Sequence, residues 1–123
     1  MTTHKRILVI EDEKLLQDVY TLVLSRAGYE VHTAGNGVEG LHKIASVQPD
    51  LILLDIFMPI MDGREFLRNV NLSDYPDTTI IVYTNLSDKQ TEKEMRSLGA
   101  DDFIVKSSMT PSDLLAVVAK NLH

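Results

Sequence analysis

Polar residues that could share one site follow four of the apolar runs in this sequence. Glu11 and Asp12 come directly after the first run, Asp55 follows a run in the middle of the chain, and Thr84 and Lys106 close two later runs. If these runs are neighbouring parallel strands, their carboxyl ends meet at one edge of a sheet. Three carboxylates, a hydroxyl and an ammonium then converge on one crevice.

The acidic part of this group predicts a divalent-cation site. Three carboxylates within a few ångströms repel one another, and one lysine does not offset them, so either a carboxyl pKa rises or a cation binds. Mg²⁺ suits such a site because it takes one or two carboxylates and keeps several waters. We expect Asp12 and Asp55 as direct ligands, Glu11 acting through water, and one backbone carbonyl completing the protein's share.

The elements that position these residues alternate between strands and helices. Four runs are continuously apolar, which is typical of strands covered on both faces of a parallel sheet, whereas residues 29–33 alternate and are predicted as an edge. The predicted strands cover residues 7–10, 29–33, 51–54, 80–82 and 103–105. Strict alternation with right-handed crossovers predicts a three-layer, doubly wound α/β sandwich with its ligand site beyond the strands' carboxyl ends.

Segments of helical period fill the connections between the early strands. Apolar residues recur between positions 15 and 23 as one stripe, which predicts a first helix that ends at Gly28. A second helix is predicted around residues 38–45. The third opens with Asp62 as its N-cap and Glu65 at N3.

The last two helices differ in how well they are specified. Thr110 followed by Pro111 predicts a capped start for the final helix. The segment 87–98 is mostly charged, and Leu86 and two later residues are its only apolar contacts. We therefore expect this fourth helix to be weakly anchored.

The acidic pair, the D-x-x-M-P-x-M-D-G segment from Asp55 to Gly63, the threonine and the lysine make the sequence resemble receiver domains of two-component response regulators. The resemblance spans the whole chain and implies a flavodoxin-like, five-stranded parallel sheet of order 2-1-3-4-5 with five helices. It implies that Asp55 accepts a phosphoryl group from a histidine kinase or a histidine phosphotransfer protein. It also implies that the Phe57 backbone carbonyl is a Mg²⁺ ligand and that Lys106 contacts the phosphoryl oxygens.

The same resemblance implies a switch. Thr84 is expected to move toward the phosphoryl group, and Phe103 to rotate inward. Because segment 87–98 follows Thr84, we expect the face of the fourth helix and fifth strand to change and to control a downstream protein effector. A polar surface helix and a core phenylalanine are the simpler interpretation of the same residues.

Other functions stay open at this point. Ser107 follows Lys106 where receivers usually have a proline joined by a cis bond, and Asn85 follows Thr84 where a small residue is usual. Both departures keep a phosphorylation-independent docking module as an alternative.

Phosphatases that resemble the haloacid dehalogenase group require a second aspartate two residues after the nucleophile, where this chain has Phe57. We therefore expect no enzyme, and slow loss of phosphate, because neither Phe57 nor Leu86 can orient a water.

A glycine motif offers a further alternative. Residues 35–40 read G-x-G-x-x-G, as in dinucleotide-binding folds. The motif follows the predicted edge strand and leaves the acidic group unexplained, so we interpret it as a strand-to-helix turn whose glycines adopt positive φ. The four histidines have no ligand spacing.

Length and charge limit the function classes. A chain of 123 residues suits one domain, and the absence of cysteine excludes disulfide scaffolds and thiolate zinc sites. A net charge of −6 disfavours direct nucleic-acid binding. The first apolar run is far shorter than the ~20 residues of a membrane span, so we expect a cytoplasmic protein without membrane contact.

The end of the chain and the charge of the last helix bear on the number of domains and on the oligomeric state. The sequence stops directly after the fifth predicted helix, so we expect residues 1–123 to be a single receiver domain without an output domain. The last helix carries Lys120 as its only cation, which disfavours a charge-paired dimer. We expect a monomer or weak dimer.

Overall fold

The computed structural model describes residues 4–85 and 88–122 as a parallel sheet with helices on both faces. The strands are β1 (Arg6–Ile10), β2 (Glu30–Ala34), β3 (Leu51–Asp55), β4 (Thr79–Thr84) and β5 (Asp102–Val105). The helices are α1 (Lys14–Arg26), α2 (Gly37–Val47), α3 (Gly63–Asn69), α4 (Lys89–Ser97) and α5 (Pro111–Asn121). Over these two ranges, no helix has both the length and the apolar character that crossing a bilayer demands.

The strand order is β2-β1-β3-β4-β5, and every neighbouring pair is parallel, as predicted. The register aligns Ile10 with Leu54 on the next strand. Asp55 in turn lies beside Tyr83 on β4. The residues that follow β1 and end β3 therefore reach the same edge of the sheet.

Both faces of the sheet are buried, and alternate residues along each strand enter different layers. One layer joins β1, β3 and β4 to α1 and α5, and the other joins them to α2, α3 and α4. This arrangement explains the continuous apolar runs, because a strand covered on both sides needs apolar residues at every position. Leu51 and Leu53 face α1 and α5, so the strand period of two directs Asp55 to that same side.

The fifth strand lies at the edge where the predicted order places it, but it is less covered than its apolar run predicted. β5 is the second edge of the sheet, and its four residues are half-buried rather than buried. An apolar run of three residues does not distinguish an inner strand from an edge whose open side is partly covered. The alternating segment 29–33 was correctly predicted as an edge and forms β2 with a shift of one residue.

Most of the predicted helix ends are present. α1 ends at Arg26 with Ala27 as its C-cap, and Gly28 follows with φ of 99°, in the left-handed region. Capping boxes open α3, between Asp62 and Glu65, and α5, between Thr110 and Asp113. These ends were predictable because the cap residues occur in the sequence at the spacing that the hydrogen bonds require.

The fourth helix is shorter than predicted. α4 begins at Lys89, with Asp88 as its N-cap, and buries Thr91 and Met95. Leu86, one of its predicted apolar contacts, lies outside the described residues. Two buried side chains on a nine-residue helix are consistent with weak anchoring.

The glycines of the G-x-G-x-x-G motif do not have the positive φ that was predicted for them. Gly37 and Gly40 do not adopt positive φ; a Cβ on Gly40 would lie 2.7 Å from Ile10 Cδ1, and one on Gly37 would lie 2.8 Å from the Met61 carbonyl. These glycines allow α2 to approach its neighbours closely. The Gly37 N–H donates to the Met61 carbonyl, so that amide is not available to a phosphate.

Candidate functional site

Three carboxylates and one ammonium lie together beyond the carboxyl ends of the strands. One oxygen from each of Glu11, Asp12 and Asp55 lies within 4.8 Å of the others. Lys106 Nζ lies 2.8 Å from Glu11 Oε1 and 3.3 Å from Asp55 Oδ2. Glu11 and Asp55 are buried, whereas Asp12 is exposed. The site therefore has a buried floor and opens to solvent at Asp12.

Glu11 is held by hydrogen bonds from several directions. Its Oε1 accepts from the Tyr83 hydroxyl at 2.9 Å as well as from Lys106, and its Oε2 accepts from the Glu13 N–H at 2.9 Å. The Gln17 side-chain amide donates to the Glu11 backbone carbonyl at 2.5 Å. A buried carboxylate with this many donors is fixed in orientation and keeps its charge.

The four charges shift one another's pKa values. Burial, followed by repulsion from Glu11, raises the pKa of Asp55 to about 6, although Lys106 lowers it. Burial and the neighbouring Glu11 also raise the pKa of Asp12. Burial alone would raise the pKa of Glu11, but the donors from Lys106, the Glu13 backbone and Tyr83 together hold it below its usual value.

The same geometry affects the lysine. Burial lowers the pKa of Lys106, but the hydrogen bond to Glu11 and the charge of Asp55 outweigh it, so the net pKa is raised. Lys106 therefore stays an ammonium at neutral pH. One ammonium faces three carboxylates, and the repulsion from Glu11 adds to burial in raising the pKa of Asp55.

The donor set fits a hard divalent cation. Glu11, Asp12 and Asp55 are the one group of three or more potential metal-ligating side chains found in residues 4–85 and 88–122. All three offer oxygen, which Mg²⁺ prefers, and Asp12 leaves the site accessible to water. The described histidines lie outside this group.

The loop after β3 shapes the rim of the site. Phe57 is 56% exposed and the Arg64 guanidinium lies 5.9 Å from its ring centre. Ile60 is 79% exposed and has φ of 70°, a conformation that a β-branched residue rarely adopts. At Gly63 the loop passes close to the end of β3. A Cβ added to Gly63 would lie 2.5 Å from the Asp55 carbonyl oxygen.

The two predicted switch residues lie on neighbouring strands. Thr84 is buried at the end of β4 and is aligned with Val105 on β5. Phe103 is half-buried and packs against the layer that contains α2, α3 and α4. Alternation along β4 sends Thr84 to this same layer, with Val82, and away from Tyr83.

The two departures from the family pattern leave the lysine in reach of the acids. The described residues contain no cis peptide bond, so the Lys106–Ser107 bond is trans, and the ammonium still reaches both Glu11 and Asp55. Asn85 is exposed and lines, with Lys106, a groove of about 350 Å³ between α1 and the start of α5.

The sequence interpretation did not single out Tyr83. An aromatic residue beside an apolar run is usually a core residue, and Tyr83 is indeed fully buried. Its hydroxyl nevertheless enters the site. The available signal was its position one residue before Thr84, which places it on the opposite face of β4 from the threonine.

Comparisons with known proteins show which family and which solved structures the chain resembles. Residues 7–119 match the family model of the response regulator receiver domain. The chain is 40% identical over 103 residues to the probable C4-dicarboxylate response regulator DctR of Halalkalibacterium halodurans, and the match covers 82% of this chain and 44% of that protein. The chain therefore spans less than half the length of this relative.

Two solved structures share the fold closely. Chemotaxis protein CheY4 of Vibrio cholerae has a TM-score of 0.91 and 31% identity, over 98% of this chain and 100% of that chain. The response regulator TrrA of Thermotoga maritima, solved in complex with Mg(2+)-BeF, has a TM-score of 0.83 and 36% identity, over 96% of this chain and 99% of that chain.

Proposed function

The chain belongs to the response regulator receiver domain family, and from that premise we propose that it is a signalling switch in which Asp55 carries the phosphoryl group. The observation that supports this most directly is the buried Asp55 carboxylate beside the Lys106 ammonium and two further carboxylates. A carboxylate is a competent nucleophile toward phosphorus when nearby cations neutralise the developing charge.

We propose that the phosphodonor is the phosphohistidine of a histidine kinase or a phosphotransfer protein. An Asp55 oxygen attacks the phosphorus, an acyl phosphate forms, and the phosphorus–nitrogen bond breaks. The departing imidazole keeps the bonding electron pair and takes a proton. Lys106 lies close enough to Asp55 to contact the transferred oxygens.

In this proposal Asp12, Asp55 and the Phe57 backbone carbonyl hold Mg²⁺, and Glu11 acts through water. The ion supplies charge neutralisation for the phosphoryl oxygens. The chain's own contribution is to orient Asp55: burial fixes the carboxylate, and Lys106 bridges it to Glu11. The exposed Asp12 leaves a path from solvent.

We further propose that Thr84 and the α4/β5 face carry the signal to a protein effector. The Thr84 hydroxyl and Lys106 gain new acceptor oxygens when the acyl phosphate forms. Two ion pairs join α3 to α4: Glu94 accepts from Arg64 at 2.7 Å and lies 3.5 Å from Arg68. α4 is therefore linked to the helix that begins at the end of the Asp55 loop.

Uptake of phosphate from acetyl phosphate tests the central claim. We expect the wild-type chain to become labelled in Mg²⁺, and Asp55→Asn to remain unlabelled. Labelling should require the divalent cation. A wild-type chain that takes up no phosphate, with either acetyl phosphate or a phosphorylated kinase as donor, would support the phosphorylation-independent docking module instead.

The lifetime of the phosphorylated state separates storage from turnover. Phe57 has no polar side-chain atom and lies two residues after the phosphoacceptor, where it cannot orient a water. We expect phosphate to be lost slowly, without the steady phosphate release of a phosphatase. A half-life of seconds in Mg²⁺ contradicts this expectation.

Amide exchange with and without beryllofluoride tests the switch. Beryllofluoride imitates the phosphoryl group, so we expect exchange to change more within residues 84–106 than in the rest of the chain. Unchanged exchange across 84–106 would mean that the output face lies elsewhere.

A further inference from the structure

Tyr83 lies directly beneath the site, and the proposed function gives it no role. Its neighbour in register is Asp55, and its ring occupies the layer between the sheet and α1 and α5. The Tyr20 ring packs edge-on against it, with centroids 5.5 Å apart and an interplanar angle of 87°. A hydroxyl buried in such an apolar layer is costly unless it is hydrogen-bonded.

The hydrogen bond of Tyr83 goes to a functional carboxylate. Its hydroxyl donates to Glu11 Oε1 at 2.9 Å, and Lys106 Nζ lies 5.1 Å from the centre of its ring. One side chain therefore contacts both members of the Glu11–Lys106 pair. Phenylalanine would fill the same space without the donor.

The contacts around Glu11 determine how many further hydrogen bonds each of its carboxylate oxygens can accept. Oε1 accepts from Tyr83 and from Lys106, which accounts for both of its lone pairs. Oε2 accepts from the Glu13 N–H, and a carboxylate oxygen has room for one more donor. The Tyr83 hydroxyl is thus one of three donors, with Lys106 and the Glu13 N–H, that set the rotation of the carboxylate.

We propose that Tyr83 is a positioning residue of the metal site. Its hydroxyl holds Glu11 so that Oε1 keeps Lys106 beside Asp55 and Oε2 is left for a metal-bound water. This inference rests on the proposed Mg²⁺ site, but it concerns a residue that none of the proposed steps requires.

Loss of the hydroxyl should weaken metal binding. In Tyr83→Phe, Oε1 keeps Lys106 and Oε2 keeps the Glu13 N–H, so two donors instead of three hold the carboxylate and its orientation is less firmly set. Removal of a group that orients a metal ligand typically costs 10- to 100-fold in metal affinity. Because Glu11 acts through water, we expect the low end of that range, about tenfold.

Calorimetric titration with MgCl₂ tests this, with Tyr20→Phe as the matched control. Tyr20 belongs to the same pair of rings, and no hydrogen bond joins its hydroxyl to Glu11 among the described contacts. We expect Tyr83→Phe to raise the Mg²⁺ dissociation constant about tenfold, and Tyr20→Phe to change it less than about twofold. Equal affinities for Tyr83→Phe and wild type, or equal losses in both variants, overturn the inference.

A second readout separates positioning from a general loss of structure. We expect the circular-dichroism spectrum of metal-free Tyr83→Phe to match that of the wild type, because phenylalanine fills the same space in the buried layer. A loss of folded signal in metal-free Tyr83→Phe that accounts for its weaker Mg²⁺ binding would overturn the inference. If the wild-type chain binds no Mg²⁺ at all, the proposed function fails, and this inference fails with it.

Discussion

At the scale of single residues, the Asp55 carboxyl group carries a cost for the folded chain. Burial raises its pKa from 3.8 to about 6, so the folded state binds a proton more tightly than the unfolded state does. Stability contributed by this group is present below pH 4 and is lost as the pH rises toward 6. A shift of about two units corresponds to about 3 kcal/mol at most.

Asp55→Asn should therefore stabilise the metal-free protein at neutral pH. We expect a gain of about 1–2 kcal/mol at pH 7, because the amide removes the buried charge but also loses the bond with Lys106. The gain should shrink toward zero at pH 4. Urea unfolding across this pH range measures it, with Asp77→Asn, an exposed position, as the control. A gain that does not depend on pH would rule out the carboxyl titration as its cause.

Ile60 is a second residue that reduces stability beside the site. It has φ of 70°, and its side chain is 79% exposed, so it gains little from burial in return. The left-handed backbone conformation lowers the stability of the folded state by about 1–2 kcal/mol for a residue with a Cβ, and asparagine tolerates this conformation better. We expect Ile60→Asn to raise the free energy of unfolding by about 0.5–1 kcal/mol. Ile60→Val keeps the branched Cβ and should change little; equal stability of the two variants would contradict this explanation.

The functional residues were predictable to the extent that they follow strands. Glu11, Asp55 and Lys106 come directly after or at the end of apolar runs, and parallel topology brings such positions together. The Tyr83 hydrogen bond was not predictable in the same way. It depends on the register between β3 and β4, which the strand period alone does not specify.

At the scale of elements, the approach of α2 to the Asp55 loop depends on a missing side chain. An added Cβ at Gly37 would lie 2.6 Å from Met61 Cγ and 2.8 Å from the Met61 carbonyl, whereas one at Gly35 would lie 3.5 Å from its nearest neighbour. We expect Gly37→Ala to destabilise the chain by about 1–3 kcal/mol, and Gly35→Ala by much less. Thermal unfolding of both variants measures the difference.

This pair also distinguishes close packing from a backbone requirement. If both alanine variants lose the same stability, the glycines are needed for conformation rather than for contact. Neither Gly35 nor Gly37 has positive φ, so the structure favours contact. The sequence motif could not reveal this, because glycines that allow close approach and glycines that allow unusual φ look the same in a sequence.

The element order was more predictable than the element boundaries. Four continuous apolar runs, one alternating segment and the helical patterns identified five strands and five helices, because burial on one or both faces imposes those patterns. The inner or edge position of β5 was not fixed by its three apolar residues. The sheet order came from the family resemblance, since alternation of strands and helices is compatible with several orders.

At the scale of the whole molecule, charge makes the fold sensitive to divalent cations. The chain has a net charge of −6, and three of its carboxylates meet at one site. A ligand that binds only the folded state stabilises it by RT ln(1 + [L]/Kd), or about 1.4 kcal/mol at ten times Kd. For a domain of this size, that corresponds to a rise in melting temperature of roughly 3–6 °C.

We therefore expect MgCl₂ to raise the melting temperature of the wild-type chain by several degrees, and NaCl at equal ionic strength to raise it less. Asp12→Asn should lose most of the difference, because it removes a proposed direct ligand while leaving Glu11 and Lys106 paired. The difference should also shrink below pH 6, where the Asp55 carboxyl takes up a proton that competes with the cation. Equal shifts with MgCl₂ and NaCl would mean that the stabilisation is general screening of the net charge and not occupancy of this site.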